Sequence, residues 1–517
     1  MPIQTECGLV IYITNTFEIY RNVYNSLKKL QHRGRESFGI GYISDTSNKN
    51  YTNFQNNIVE KYGGIVDENK LSDSIKRINS KIWYGHVRYS TSGIKSNNLN
   101  FTQPIQYSLF DLDDISIIYN GNIPLKEWEK VFNNYVELKS FYYRNKSSIN
   151  DTFLILEFLK LLKNQEIEKI LKTQHQKNFN LSIKDKDQII ENCLIEFIKN
   201  IERAFSLVII TNNKSWVIRD KFGTRPLTLG KLNNGLVIAS ESCSFNENTQ
   251  ILYDIQPGSL NFIDNFKLEI KNCFNYELSN YNSFKSGHKY CLFEYLYFMR
   301  SETTANSINV REFRIGLGKL LVKELKEYHS ELYDYFENNK KKNNIDSKKS
   351  QILVCGIPKS GIIQAESFAN TLNIEYVQFI KQKKEYPHRT FILENDNKRT
   401  QACHEKYFIE LEDQIKIKDK ILILIDDSIV RGNTVKYLVN FINSFKPQEI
   451  HFMVSAPPII NVCNYGVDFP NIEELIINKK TVNEFKKYLN IKSLTYLKNN
   501  LLNNIQNNKF CLECFNH

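Results

Sequence analysis

The run Lys420-Ile-Leu-Ile-Leu-Ile425 ends in two adjacent aspartates, Asp426 and Asp427, and then passes through the short loop Ser428–Thr434 into a helical pattern. A strand that is apolar at every position has to be covered on both faces. It therefore belongs inside a sheet with helices on either side, not at a solvated surface. Its neighbours agree. "QILVCGIP" (351–358) leads to a helical segment at 361–372 and a strand at 375–380. After the aspartates, Val435, Leu438, Phe441, Ile442 and Phe445 form one apolar helix face, and "EIHFMVSA" (449–456) reads as a further strand. Strand–helix alternation predicts an open, mainly parallel sheet, and such sheets bind ligands at the carboxyl ends of their strands. The paired aspartates stand at such an end. Two like charges side by side repel unless a cation or hydroxyl groups lie between them. The loop behind them, with Ser428, Gly432 and Thr434, offers backbone N–H groups and a helix start to an anion.

The chain is 517 residues long, too long for one core, so two or more domains are expected. Up to about residue 262 many short β-like runs, with few helices between them, predict stacked antiparallel sheets. Val23, Leu27 and Leu30 mark a helix after the first strand, and 164–180 and 338–350 read as polar inserts. No apolar run approaches the roughly 18 residues of a membrane span, and the start lacks a signal-peptide pattern. A cytoplasmic enzyme with no membrane partner is the default expectation. The net charge of +11 is spread over Lys- and Asn-rich surface, not gathered in a stripe, which argues against a nucleic-acid partner. Ten cysteines without an export signal argue against a disulfide framework. Cys193, Cys243, Cys273, Cys355 and Cys403 read as small core residues.

The stretch "LIDDSIVRGNT" resembles the diphosphoribosyl-binding motif of type I phosphoribosyltransferases. At the other end, Cys7 opens an apolar strand. With "LQHRGRESFGIG" (30–41), "GHVRYSTSG" (85–93) and "YNGN" (119–122) it resembles the N-terminal-nucleophile glutaminase domain. Glutaminase first and phosphoribosyltransferase second resembles the amidophosphoribosyltransferase family. "RDKFGTRPL" (219–227), "CLFEYLYFMR" (291–300), "YPHRTFI" (386–392) and "NVCNYGVDFP" (461–470) match in the family's order.

The resemblance implies an N-terminal-nucleophile αββα sandwich over 7–262 and a type I phosphoribosyltransferase open parallel sheet over 263–505, a combination of α/β and α+β classes. A propeptide, 1–6, and a cysteine-containing tail, 506–517, complete the expected organisation. Cleavage between Glu6 and Cys7 would free the α-amine that serves as base to the Cys7 thiol. Carried over residue by residue, Cys7 is the nucleophile, and Asn120 and Gly121 form the oxyanion hole. Arg88 takes the α-carboxylate of glutamine and Asp151 its α-amine, while Arg33, Thr91 and Gly93 shape the pocket. Phosphoribosyl pyrophosphate would bind Asp426, Asp427, Ser428, Ile429, Val430, Arg431, Gly432, Asn433 and Thr434. One Mg²⁺ per subunit would sit on Ser360, Asp426 and Asp427, and a flexible loop with Lys383, Tyr386, Arg389 and Thr390 would close over the sugar. The expected reaction is transfer of ammonia from glutamine to phosphoribosyl pyrophosphate, giving 5-phosphoribosylamine for purine synthesis.

Cys291, Cys463, Cys511 and Cys514 resemble the quartet of the family's iron–sulfur branch, which implies one structural [4Fe–4S] cluster per subunit; four cysteines also suit zinc. A homotetramer inhibited by purine nucleotides is the family expectation. The chain departs from the family at Tyr119 (usually His), Phe153 (usually an acid), Asn433 (commonly Thr), Pro387-His388 (where a Gly is usual) and Lys359 (usually acidic). Neither Tyr119 nor Phe153 is expected to touch a bond-making residue. Two other readings are a related glutamine amidotransferase and a non-catalytic purine-sensing protein on the phosphoribosyltransferase fold. The first conflicts with "LIDDSIVRGNT", and the second needs neither Cys7 nor the cysteine quartet.

Overall fold

A computed structural model describes residues 7–44, 57–89, 99–110, 114–146, 149–174, 181–276, 290–341, 351–383, 406–465, 467, 471–503 and 509–516. The first strand, Gly8–Ile19, directs Leu9, Ile11 and Ile13 to one face and Val10 and Tyr12 to the other, and all five are buried. Two layers must therefore cover it. It sits mid-sheet in the order Gln250–Asp254, Thr228–Leu232, Gly235–Ala239, Gly8–Ile19, Asn79–Arg88, Ser37–Ile43, Asn57–Gly63, with every pairing antiparallel. A second antiparallel sheet of six strands packs on its Leu9 face through Ile118, Val208 and Val217. Helix Arg21–Lys29 covers the other face through Val23 and Leu27. Helices Leu125–Asn134, Asp151–Gln174 and Ile183–Asn200 cover the outside of the second sheet. The result is the expected four-layer αββα sandwich.

Two expectations fail in detail. Residues 164–174, read as a polar insert, are the second half of the 24-residue helix Asp151–Gln174. Ile167 and Ile170 pack at helical spacing, while Asn164, Gln165, Glu168, Lys169, Leu171 and Lys172 are exposed. The six-stranded sheet also runs on past residue 262, because Ile270–Asn275 pairs with Ser259–Asp264. Of the cysteines expected in the core, Cys193 and Cys355 are buried, Cys243 and Cys273 are half-buried, and Cys403 lies outside the described residues.

The second half is a five-stranded, wholly parallel sheet in the order Glu375–Tyr376, Ile352–Gly356, Ile421–Asp426, Glu449–Val454, Ser493–Tyr496. The strand expected at 375–380 is only two residues long. Ile421, Ile423 and Ile425 pack towards helices Val310–Tyr328 and Ile362–Leu372, and Leu422 and Leu424 towards Asn433–Asn443 and Val482–Leu489. The apolar run is thus covered on both faces, as its sequence requires. Beyond the sheet, Phe510–Cys511 pairs in parallel with Tyr290–Cys291, bringing the tail back to the start of the second half.

A buried ionic network joins the halves. Arg33 donates from Nε to the Cys7 carbonyl (3.0 Å), from Nη1 to Glu241 Oε1 (2.6 Å) and from Nη2 to Glu294 Oε1 (2.8 Å). Glu241 also accepts from His32 Nε2 (2.7 Å), the Arg300 N–H (2.9 Å) and Thr303 Oγ1 (2.7 Å). Burial alone would raise the Glu241 carboxyl, but His32, Arg33 and their hydrogen bonds hold it well below the usual carboxylate range. Truncating one partner leaves buried charges unpaired, which costs about 3–5 kcal/mol. Glu241→Ala should therefore lower the unfolding midpoint by an amount corresponding to about 3–5 kcal/mol. Lys169→Ala, which removes an exposed ion pair to Glu166, should change it by less than about 1 kcal/mol.

Candidate active sites

Three strand ends build the first site. In the register of the seven-stranded sheet Gly8 lies opposite Val87, and Ser37 opposite Arg88, so Cys7 emerges beside Arg88. The Cys7 thiol donates to the Tyr89 carbonyl (3.6 Å) and accepts from the Tyr89 N–H (3.5 Å). Burial pushes it up, opposed by Tyr89 and the Arg88 charge. A small cavity of about 20 Å³ is lined by Cys7, Arg88, Tyr89, Gln103, Tyr119, Gly121, Asn150, Asp151 and Thr152. Gln103 ties it together, accepting from the Tyr119 N–H (2.6 Å) and donating to Thr152 Oγ1 (3.2 Å). The amide nitrogen and oxygen of Asn120 are buried with no hydrogen-bond partner. Asp151 accepts from the Ile123 N–H (2.8 Å), yet burial pushes its carboxyl up to about 7. Arg88 stands 3.9 Å from the carboxylate of Glu36, a loose pairing.

The second site is a cavity of about 410 Å³ at the carboxyl end of the parallel sheet, lined by every residue from Asp426 to Val435. Asp426 and Asp427 are both buried. The Asp427 N–H donates to Asp426 Oδ1 (2.9 Å), Ser428 Oγ donates to Asp427 Oδ2 (2.7 Å), and Asp427 also bonds the Ser360 side chain. Burial and the charge of Asp427 push Asp426 well up, and burial pushes Asp427 up as well. One added cation would relieve both. Gly361 is what lets the loop 357–361 lie so close, since a Cβ there would be 2.2 Å from the Ile425 carbonyl oxygen. Gly432, at φ +79°, caps helix Asn433–Asn443 in a left-handed conformation with no side-chain bond to the first turn. Thr434 and Val435 of that turn line the cavity, and a helix start favours an anion. Arg35, Arg300, Arg314, Lys359, Lys406 and Arg431 line the cavity against the carboxylates of Glu302, Asp426 and Asp427, so cations predominate. His32 lines it as well, which brings the interdomain network to its wall.

The phosphoribosyl transferase domain family matches residues 323–460. An amidophosphoribosyltransferase of Methanocaldococcus jannaschii is 29% identical over 98% of this chain and 96% of its own length. That of Bacillus subtilis is 28% identical over 99% and 93%. Among solved structures, the glutamine phosphoribosylpyrophosphate amidotransferase from B. subtilis complexed with ADP and GMP matches 98% of this chain and 96% of its own, at 24% identity and a TM-score of 0.71. An allosteric regulatory enzyme of purine biosynthesis matches 98% and 95% of the two chains at a TM-score of 0.72. Along nearly its whole length the chain is similar to amidophosphoribosyltransferases.

Of the residues singled out from the family motifs, Cys7, Arg88, Gly121 and Asp151 share one cavity. Arg33 lies outside its lining and instead holds the Cys7 carbonyl from behind. Tyr119, which the motifs placed away from bond-making residues, lies in the cavity against Gly121. Phe153 packs edge-on to Phe101 and is not part of the lining. Asp426–Thr434, Ser360 and Lys359 line the second cavity. Lys383 does not, although Gln382 beside it does, and its N–H donates to the Lys406 carbonyl (3.0 Å). Thr91, Gly93, Tyr386, Pro387, His388, Arg389 and Thr390, and the segment 1–6, lie outside the described residues. Gln103, Glu241, Glu294 and Arg300 had been given no role. Glu294 and Arg300 lie in the motif "CLFEYLYFMR", but the residues each of the four touches lie far along the chain.

The cysteine quartet also converges. Cys291 stands opposite Cys511 across the short parallel pairing, and the N–H groups of Ile460 and Asn461 donate to the Cys514 carbonyl (2.9 and 3.2 Å). Burial, and then the other three cysteines, push the Cys514 thiol well up. Cys291 is raised by burial and by Cys463, Glu294 and Cys511. Among the described residues no three His, Cys, Asp or Glu side chains are gathered around a single ion.

Asp151 yields a pH test. Its carboxyl is neutral below about 7 and charged above it, so capture of an α-ammonium group should strengthen as pH rises through that value. Calorimetric titration with glutamine between about pH 6 and 8 checks this. Affinity should rise in the parent chain and stay flat in Asp151→Asn. Stability should move the other way, because the unfolded carboxyl ionises near 3.8 and folding weakens between there and about 7.

Proposed function

We propose that this chain is a glutamine-dependent amidophosphoribosyltransferase, making 5-phosphoribosylamine, pyrophosphate and glutamate at the committed step of purine synthesis. The observation that carries the reading is the coexistence in one chain of a nucleophile pocket at Cys7 and a cation-lined cavity at Asp426–Thr434, tied together through Arg33. After removal of 1–6, the α-amine of Cys7 takes the thiol proton and the thiolate attacks the glutamine carboxamide. The oxyanion is met by the unpartnered amide of Asn120 and the backbone N–H of Gly121. Strand alternation turns that N–H away from the Phe205–Ile210 strand, on the same side as the Tyr119 N–H. Ammonia leaves, and water cleaves the thioester to glutamate. In the second cavity the 5′-phosphate rests on the loop 428–434, the ribose hydroxyls on Asp426 and Asp427, and ammonia displaces pyrophosphate at the anomeric carbon.

Mg²⁺ fits the buried carboxyl pair and Ser360, whose mutual crowding a cation offsets. It would supply charge neutralisation for the departing pyrophosphate. The thiols of Cys291, Cys463, Cys511 and Cys514 fit a [4Fe–4S] centre, whose cluster spans a wider gap than a single zinc, and their place at the domain junction makes its role structural. Purine nucleotides are the expected inhibitors, a homotetramer the expected assembly and the cytoplasm the expected compartment. Among the described residues no helix is long and apolar enough to cross a membrane.

Cys7→Ala should abolish glutamine-dependent pyrophosphate release, by about a thousandfold or more, while leaving the rate with added ammonia near that of the parent. Equal loss of both rates contradicts the two-site scheme. Protein purified without oxygen should carry about four irons per chain. Cys514→Ser should lower that content and the thermal midpoint together.

A further inference from the structure

Every backbone group of Tyr119 is used, and its side-chain hydroxyl is not. The N–H donates to Gln103 (2.6 Å) and the carbonyl accepts from His86 Nε2 (3.0 Å). The side chain is buried at 2% exposure, and its Oη has no hydrogen-bond partner. Its position is fixed by Gly121, where a Cβ would stand 2.5 Å from Oη, and it forms part of the wall of the Cys7 cavity. A buried hydroxyl left without a partner destabilises a fold by about 1–3 kcal/mol. Such an atom facing a substrate pocket calls for a reason.

The second observation lies on the same wall. Asp151 accepts only the Ile123 N–H among its resolved contacts, and burial is uncompensated there by any nearby cation. An unpartnered phenolic oxygen and a carboxyl that no cation offsets, on side chains lining one small polar space and close enough to act on each other, are complementary to a single group with several N–H donors and positive charge. An ammonium has that chemistry. A volume of about 20 Å³ holds about one water, which an incoming ammonium would replace.

We propose that the Tyr119 hydroxyl binds the α-ammonium of glutamine alongside Asp151, as a substrate-contacting residue of the Cys7 site. The inference rests on the glutaminase reading above. Oη accepts one N–H of the ammonium, the Asp151 carboxylate a second, and Arg88 takes the carboxylate at the same end of the substrate. Glutamine bound in this way keeps its carboxamide directed to Cys7.

Tyr119→Phe separates this role from a merely structural one. The ring still fills the same volume, so the thermal midpoint should stay level or rise once the unpartnered hydroxyl is gone. The KM for glutamine should rise about tenfold or more, the loss of one hydrogen bond to a charged group. kcat should change little, and ammonia-dependent turnover should not change. With 4-carbamoylbutanoate, which is glutamine without its α-amine, parent and variant should have the same inhibition constant. A KM for glutamine equal to the parent's, or an equal loss with both compounds, overturns the proposal. If the parent chain uses ammonia but not glutamine, the glutaminase reading itself fails and the proposal falls with it.

Discussion

The side chain of Arg33 is the point on which the two halves depend. It is buried, it is charged, and its partners come from three separated parts of the chain: the Cys7 carbonyl, Glu241 and Glu294. A guanidinium is tolerated in such a place only when its donors are met in plane by carboxylates and carbonyls. Satisfying it therefore fixes where the nucleophile strand, the end of the seven-stranded sheet and the first turn of the second half must stand. Through Glu241 the same network reaches Arg300 and His32, both on the wall of the phosphoribosyl cavity. The two pockets are thus parts of one electrostatic unit.

Each pocket keeps charge or polarity that the fold itself does not neutralise. The aspartate pair is crowded and raised, the Tyr119 hydroxyl is unpartnered, and Asp151 has a carboxyl poised near neutrality. A protein optimised only for stability would not retain such groups in its interior. Where such groups gather around a cavity, they mark a part of the molecule that holds ligands.

Most of the architecture was legible in the sequence because it is written in short-range periodicity. "ILILI" declares a strand covered on both faces, as it is. The loop after Asp427 was legible because its anion-binding chemistry is local. The helix Asp151–Gln174 was missed over its second half because one narrow apolar stripe among Lys, Glu and Gln looks like an insert. Glu241 and Glu294 were invisible for a different reason: they meet Arg33 across 208 and 261 residues of chain. No neighbouring residue announces such a contact. Tyr119 stood out in the sequence only as a departure from the family, and nothing there told that its hydroxyl would be without a partner.

The tail's pairing bears on how the protein is made. Cys291 leaves the ribosome long before Cys511, yet the two stand opposite each other, and Tyr465 beside them donates to Glu513 and accepts from the Ala204 N–H of the first half. During synthesis the first half has its own core and can fold, while the junction stays open with a buried-to-be thiol exposed. The later-made turn is therefore the latch, and any metal centre built there is installed after translation of that turn. Nascent chains stalled before residue 510 would leave Cys291 without its partner strand in place of a closed junction.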